Sequence, residues 1–201
     1  KHSDKVNAVA ITHDDKFAVS GSADSSLIIW DIKLRSNLRT QLVHSRRVNS
    51  IILTKDGRHA VSASSDKTIK IWDIETGRVL NTLKNHTAKV NAIILSPNNQ
   101  RLVSASNDRR LRIWDFNTGE LLNTLKEHEH NVNIVVMTPD GQKVVSASAD
   151  RTLNVWDFKD GQLHLLHSLK GHTAFIRSVV LTSEGNRAIS ASNDTTLRIW
   201  D

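Results

Sequence analysis

Tryptophan followed by aspartate occurs five times, at Trp30, Trp72, Trp114, Trp156 and Trp200, and these tryptophans stand 42, 42, 42 and 44 residues apart. They are all the tryptophans in a chain of 201 residues. A repeat of about forty residues constrains a fold more than any local pattern, because one such unit cannot bury its own apolar face and must stack on its neighbours. The segments that start at His44 and His86 share 21 of 42 positions, so the copies are duplicates of one unit. They run over 2–43, 44–85, 86–127, 128–171 and 172–201, a single repeat region without an intervening linker.

Within a copy, the apolar residues fall in short runs rich in β-branched side chains, which is the pattern of strands rather than helices. Val90–Leu95, Arg101–Ser106, Arg110–Trp114 and Leu121–Leu125 represent the four strands of the third copy. Turn formers separate the first two strands: Asp56-Gly57, Asn98-Asn99, Asp140-Gly141 and Glu184-Gly185 start turns or tolerate positive φ. The first strand, apolar at nearly every position, is expected to be buried on both faces. The third alternates, with Lys70 and Arg112 between apolar neighbours, and is expected to be more exposed.

Each copy begins at a histidine and ends in Ile-Trp-Asp or Val-Trp-Asp, and in this it resembles the WD40 repeat along the whole chain. The Gly-His pair of that family is present only as Gly171-His172; the other histidines follow Lys1, Val43, Asn85 and Glu127. The resemblance implies an all-β, WD40-like β-propeller of five four-stranded blades, the last lacking its outer strand.

Every copy also carries a serine, an aspartate four residues later and the tryptophan six after that. The sets are His2, Ser20, Asp24, Trp30; His44, Ser62, Asp66, Trp72; His86, Ser104, Asp108, Trp114; His128, Ser146, Asp150, Trp156; and His172, Ser190, Asp194, Trp200. Serine, histidine and aspartate together invite a hydrolase reading. A catalytic nucleophile sits on a strained exposed elbow beside an oxyanion hole, however, and an enzyme needs one. Here the serine lies mid-strand, five times over. The resemblance implies a structural relay instead, from indole N–H to serine hydroxyl to imidazole to carboxylate. Each bond of such a relay contributes about 0.5–1.5 kcal/mol net, and an unpaired buried member costs about 1–3 kcal/mol.

Other chemistry is thin. With no cysteine, disulfides and thiolate metal sites are excluded. His128-Glu129-His130 is a poor metal site, since a zinc centre draws three or four ligands and His128 already belongs to a relay. No phosphate-binding loop, dinucleotide fingerprint or calcium loop occurs, so no cofactor, metal or catalytic residue is expected. The sequons at Asn85 and Asn193 include relay residues and are read as unused. No apolar run approaches the ~20 residues that span a bilayer. Without cysteine or a leader-like apolar stretch, the chain is expected to be cytoplasmic.

In the family, partners commonly dock on the narrow face of the propeller, around the channel, where the histidine loops and aspartate turns emerge. Carried over by position, the third residue after each histidine is Lys5, Arg47, Lys89, Asn131 and Phe175, and the fifth is Asn7, Asn49, Asn91, Asn133 and Arg177. Beside the relay aspartates lie Lys67, Asn107, Arg109 and Arg151. Of the twenty positions on this face seven are Lys or Arg and none is acidic, whereas the opposite loops mix signs. The net charge of +6 is thereby expected to concentrate on one face and to steer acidic ligands. The asparagines, which both donate and accept, could satisfy a peptide backbone. These residues point to a non-enzymatic interaction scaffold for a partner segment, acidic or phosphorylated, with Phe175 as aromatic anchor. The alternative is nucleic acid or an anionic membrane on the same basic face. Nucleic acid is disfavoured because base stacking needs aromatics, and the membrane because the Phe-Arg-Arg-Gly motif of phosphoinositide-binding propellers is absent.

The fifth copy stops before its fourth strand, and relatives mostly close with six to eight blades. The series is therefore expected to be part of a larger propeller. Its terminal blades would present apolar edges through which chains could associate.

Overall fold

The computed structural model describes residues 1–201 and is all-β, with five antiparallel sheets. The first comprises β1 (Val6–Ile11), β2 (Phe17–Ser22), β3 (Ser26–Asp31) and β4 (Ser36–Leu42), in that order. The second comprises β5 (Val48–Leu53), β6 (His59–Ser64), β7 (Ile69–Asp73) and β8 (Val79–Leu83). The third comprises β9 (Val90–Leu95), β10 (Arg101–Ser106), β11 (Leu111–Asp115) and β12 (Leu121–Leu125). β13 (Val132–Met137), β14 (Lys143–Ser148), β15 (Thr152–Lys159) and β16 (Gln162–Lys170) make the fourth. The fifth has three strands, β17 (Ile176–Leu181), β18 (Ala188–Ser192) and β19 (Leu197–Trp200). This is the expected blade series with its short last member. Lys1–Ile93 and Ile94–Asp201 form two compact units.

Burial within a blade departs from the sequence expectation. In the four-stranded blades the second and third strands are the most buried, and Arg112 is only 4% exposed. The first strand is half open instead, as in β5, where Val48 and Ile51 are buried and their neighbours are not. Sheet order explains the reversal: the first strand is an edge, while the second and third are flanked on both sides. Arg112 enters the interior because its Nη1 meets the Asp108 carboxylate at 2.6 Å, and a buried charge needs such a partner.

The pairing of first and second strands carries a bulge in the first, second, fourth and fifth blades. Val6 pairs with Ser22 and Ala8 with Gly21, leaving Asn7 as the extra residue; the same slip occurs at Asn49, Asn133 and Arg177. A bulged residue leaves the ladder and its side chain is re-aimed. A second bulge falls on each outer strand, at Leu38, Leu80, Leu122 and Leu166. These leucines are exposed, and the irregularity interrupts the row of unpaired edge groups that would otherwise template another strand.

The two extra residues of the fourth copy lengthen the β15–β16 hairpin, in which Lys159 pairs with Gln162. Its two-residue turn, Asp160-Gly161, has φ of 53° and 72°, as a tight hairpin turn matched to strand twist requires.

The core lies between successive blades. In the first unit, Val19, Leu27 and Ile29 of one blade pack with Val48, Ile51, Ala60 and Trp72 of the next. In the second unit, Val145, Ala147 and Leu153 meet Ile176, Val179 and Ala188.

Candidate partner-binding site

The relay residues converge where the histidine loop meets the turn after the second strand. His44 Nε2 lies 2.8 Å from Ser62 Oγ and its Nδ1 lies 2.8 Å from Asp66. His128 contacts Ser146 at 2.8 Å and Asp150 at 2.7 Å, and His172 contacts Ser190 and Asp194 at the same distances. In the first blade the spacings are 2.8 Å to Ser20 and 3.2 Å to Asp24. The indoles of Trp30, Trp114, Trp156 and Trp200 donate to their serines at 2.7–2.9 Å. Trp72 is the exception and corrects the expectation for its blade: its Nε1 is buried without a hydrogen-bond partner. Nothing in its strand pairing, which matches that of Trp114, explains the difference. In the third blade His86 is buried.

Ser62, Ser104, Ser146 and Ser190 are 0% exposed. A hydroxyl so placed meets no substrate, and both ring nitrogens of His128 are committed, which leaves it no lone pair for a metal.

Two further relay members were not read from the sequence. Two residues after the aspartate, Ser26, Thr68, Thr152 and Thr196 each donate a hydroxyl to it at 2.6 Å. Two residues before it, a second serine binds the histidine loop, as when Ser64 Oγ donates to Arg46 O and Ser192 Oγ to Ala174 O, both at 3.0 Å. The signal was there, since a hydroxyl residue occupies the first position in four copies and serine the second in all five. Burial opposes the charge of Asp66, yet bonds from His44 and Thr68 outweigh it and hold the carboxyl well below the usual carboxylate range.

The pinned aspartate forces the next residue into the left-handed region: Ser25, Lys67, Arg109, Arg151 and Thr195 have φ between 69° and 75°. Such a conformation is costly for a side chain larger than glycine. Lys67, Arg109 and Arg151 consequently stand out from the turn tips, exposed.

In the first unit, Lys5, Arg47, Lys67 and Lys89 are exposed, while Asn49 and Asn91 are half-buried. Arg47 Nη2 donates to Asn7 Oδ1 at 3.0 Å. In the second unit, Asn107, Asn131 and Asn133 are half-buried, and Arg109, Arg151, Phe175 and Arg177 are exposed. Arg177 Nε donates to Asn193 Oδ1 at 2.9 Å, and its guanidinium lies 5.9 Å from the centre of the Phe175 ring, within cation–π range. A cleft of about 470 Å³ opens there, lined by Phe175, Asn193, Arg151, His130 and Glu129.

Two expectations change. Asn7, Asn49 and Asn133 are not free to bind a peptide backbone, for their Nδ2 groups donate to the carbonyls of Val48, Val90 and Ile176 at 3.0, 2.7 and 2.7 Å. The bulge described above aims each one at the first strand of the next blade, so they tie blades together. The face is also less purely basic than its mapped positions: Glu129 lines the cleft and exposed Asp4 adjoins Lys5. At the opposite ends of the strands in the first unit, a cleft of about 910 Å³ mixes Asp14, Asp56, Asp73 and Glu75 with Lys16 and Arg58 over a floor that includes Phe17 and Ile74.

The family model described as "WD domain, G-beta repeat" matches the chain five times, at residues 1–31, 35–73, 77–115, 119–157 and 163–201. No curated protein matches it.

Proposed function

The chain belongs to the WD40 repeat family, whose repeats generally mediate protein–protein interaction and whose propellers are typically non-enzymatic; on that premise we propose that it is a non-enzymatic scaffold holding an acidic or phosphorylated peptide segment at the cleft beside Phe175. The observation that carries the reading is the combination there of a 47% exposed aromatic ring, the Arg177 guanidinium over it and Arg151 at the cleft wall. An apolar anchor flanked by forked cations fits a segment in which an apolar residue stands beside a phosphate or carboxylate. Asn7, Asn49 and Asn133, which seemed suited to peptide backbone, are spent between blades, which leaves charge and the ring as the main recognition elements.

Matched phosphorylated, acidic and neutral peptides on one array test this. The chain is expected to retain the first two in a salt-sensitive manner. Phe175→Ala is expected to weaken retention roughly 10- to 100-fold, the equivalent of losing about 1.5–3 kcal/mol of apolar burial, and Arg151→Glu with Arg177→Glu to abolish it. Equal retention of the neutral peptides sinks the proposal. Preferential binding of single-stranded nucleic acid or anionic vesicles would favour the alternative, which is weakened by Phe175 being the one exposed aromatic side chain.

A further inference from the structure

Asp56, Asp140 and Asp160 are the aspartates followed by glycine. Such a bond carries a chemistry of its own, because glycine has no Cβ to hinder its amide nitrogen from attacking the side-chain carboxyl of the preceding aspartate. The attack needs a protonated carboxyl and a main chain free to rotate at the aspartate. The fold therefore decides which of these bonds can react.

Asp56 and Asp140 are locked. Asp56 Oδ1 accepts from Thr54 Oγ1 at 2.6 Å and from the Arg58 amide at 3.0 Å, while the Gly57 amide, the would-be nucleophile, donates to Thr54 O at 2.9 Å. Asp140 repeats the pattern in the second unit, with Thr138 Oγ1 at 2.5 Å, the Gln142 amide at 2.9 Å and the Gly141 amide 2.8 Å from Thr138 O. Those bonds, the threonine's foremost, also hold both carboxyls below their ordinary value of 3.8, which depletes the reactive acid form. Asp160 stands outside this scheme. It is exposed at the tip of the β15–β16 hairpin without a side-chain hydrogen bond, for the residue two before it is Phe158 and not a threonine. The Gly161 amide lies between the central residues of the turn, where it faces no strand carbonyl, and the pairing of Lys159 with Gln162 closes the turn.

We propose that Asp160 is a site of spontaneous isomerisation to isoaspartate. Gly161 N attacks Asp160 Cγ, and the carboxyl hydroxyl leaves as water with the amide proton, which gives a cyclic succinimide. Water then adds at the Asp160 main-chain carbonyl carbon, and cleavage of that carbon's bond to Gly161 N leaves the chain running through Cβ and a free α-carboxylate. One water is lost and one gained, so the mass is unchanged. The extra main-chain carbon does not fit a two-residue turn, and the end of the hairpin opens. Leu163, 4% exposed and paired with Phe158, loses its cover. The cleft of about 430 Å³ that Asp160 and Gly161 line beside Arg101 and Phe158 loses a wall.

The test ages the chain for weeks at neutral pH and body temperature. Methyl transfer from S-adenosylmethionine by an isoaspartate-specific carboxyl methyltransferase measures the product, and electron-transfer fragmentation of proteolytic peptides places it. Position 160 is expected to hold about tenfold or more the isoaspartate of position 56 or 140, since each hydrogen bond that must break there first lowers the open population several-fold. In urea the positions are expected to react alike. Thr54→Val, which removes one lock, is expected to raise isoaspartate at position 56 and leave position 160 unchanged, and Asp160→Ala to remove the major signal. Amide exchange at Leu163 is expected to quicken in the isomerised chain. Equal isoaspartate at the three positions of the folded chain overturns the proposal, as does its absence from position 160 or a preference for that position that persists in urea. Unaltered exchange at Leu163 overturns the opening of the hairpin.

Discussion

Asn133 donates its Nδ2 hydrogen to the main-chain carbonyl of Ile176, 2.7 Å away, across the joint between the fourth and fifth blades. The bond exists because a one-residue bulge turns Asn133 out of its own ladder. Truncation leaves a carbonyl unpaired beside a buried core residue. Asn133→Ala is expected to destabilise the protein by about 1–2 kcal/mol, read as a lower urea midpoint at constant slope. Asn7→Ala, at an exposed position, is expected to cost less; equal costs would show that the joint is not where the energy lies.

The relays differ in a way that mutation can read. Ser146 accepts from Trp156 and contacts His128, so Ser146→Ala strands two buried polar groups at once. Ser62 contacts His44, and the Trp72 indole is unpartnered with or without it. Ser146→Ala is expected to destabilise by about 2–4 kcal/mol and Ser62→Ala by about half that. The two substitutions are at equivalent, fully buried positions, so denaturation midpoints compare them directly, and identical losses would contradict the difference between the relays.

Acid lability follows from the relay aspartates. Burial opposes ionisation of Asp150, but bonds from His128 and Thr152 outweigh it and hold the carboxyl below its ordinary value of 3.8; Asp66 is held down in the same way. A folded pKa below the unfolded one means stability that is complete above the ordinary value and lost as pH falls through it toward the folded value. The melting temperature is expected to be level down to about pH 5 and to fall steeply below about pH 4. Asp150→Asn is expected to lower it at neutral pH and to flatten the acid limb. An unchanged acid slope in that variant would assign the acid sensitivity elsewhere.

Gly21 occupies the place that alanine holds in the other copies, at Ala63, Ala105, Ala147 and Ala191. Repeat averaging would forecast that Gly21→Ala stabilises by lowering the entropy of the unfolded chain. The new Cβ, however, would lie 2.6 Å from Val48 Cγ1 and 2.7 Å from Ile51 Cδ1. Val48 is a short branched side chain with little room to yield, so the substitution is expected to destabilise by about 1–3 kcal/mol. A raised melting temperature would mean that the first joint opens easily.

The repeats, the strands and the relay partners were legible because they recur: a spacing of 42 residues and an alternating pattern leave marks on every copy. The role of Asn49 was not, since a bulge adds no distinctive residue, and only register shows that this amide faces the next blade's carbonyl rather than solvent. Arg112 misled for a related reason. An arginine between apolar residues reads as exposed until its partner Asp108, four residues earlier and on another element, is seen 2.6 Å away. Glu129 escaped because position after the histidine, not proximity to Phe175, guided the mapping.

Placing one indole in each blade equips the chain with five built-in fluorophores, each reporting its own neighbourhood. Trp72, Trp114 and Trp156 are at most 2% exposed, whereas Trp30 and Trp200 are partly wet. Emission from the outer pair should be redder and more readily quenched. Because the indoles are distributed one to a blade and stacked units draw stability from their neighbours, the order in which the blue-shifted and the redder tryptophans change colour on heating gives the order in which the blades open.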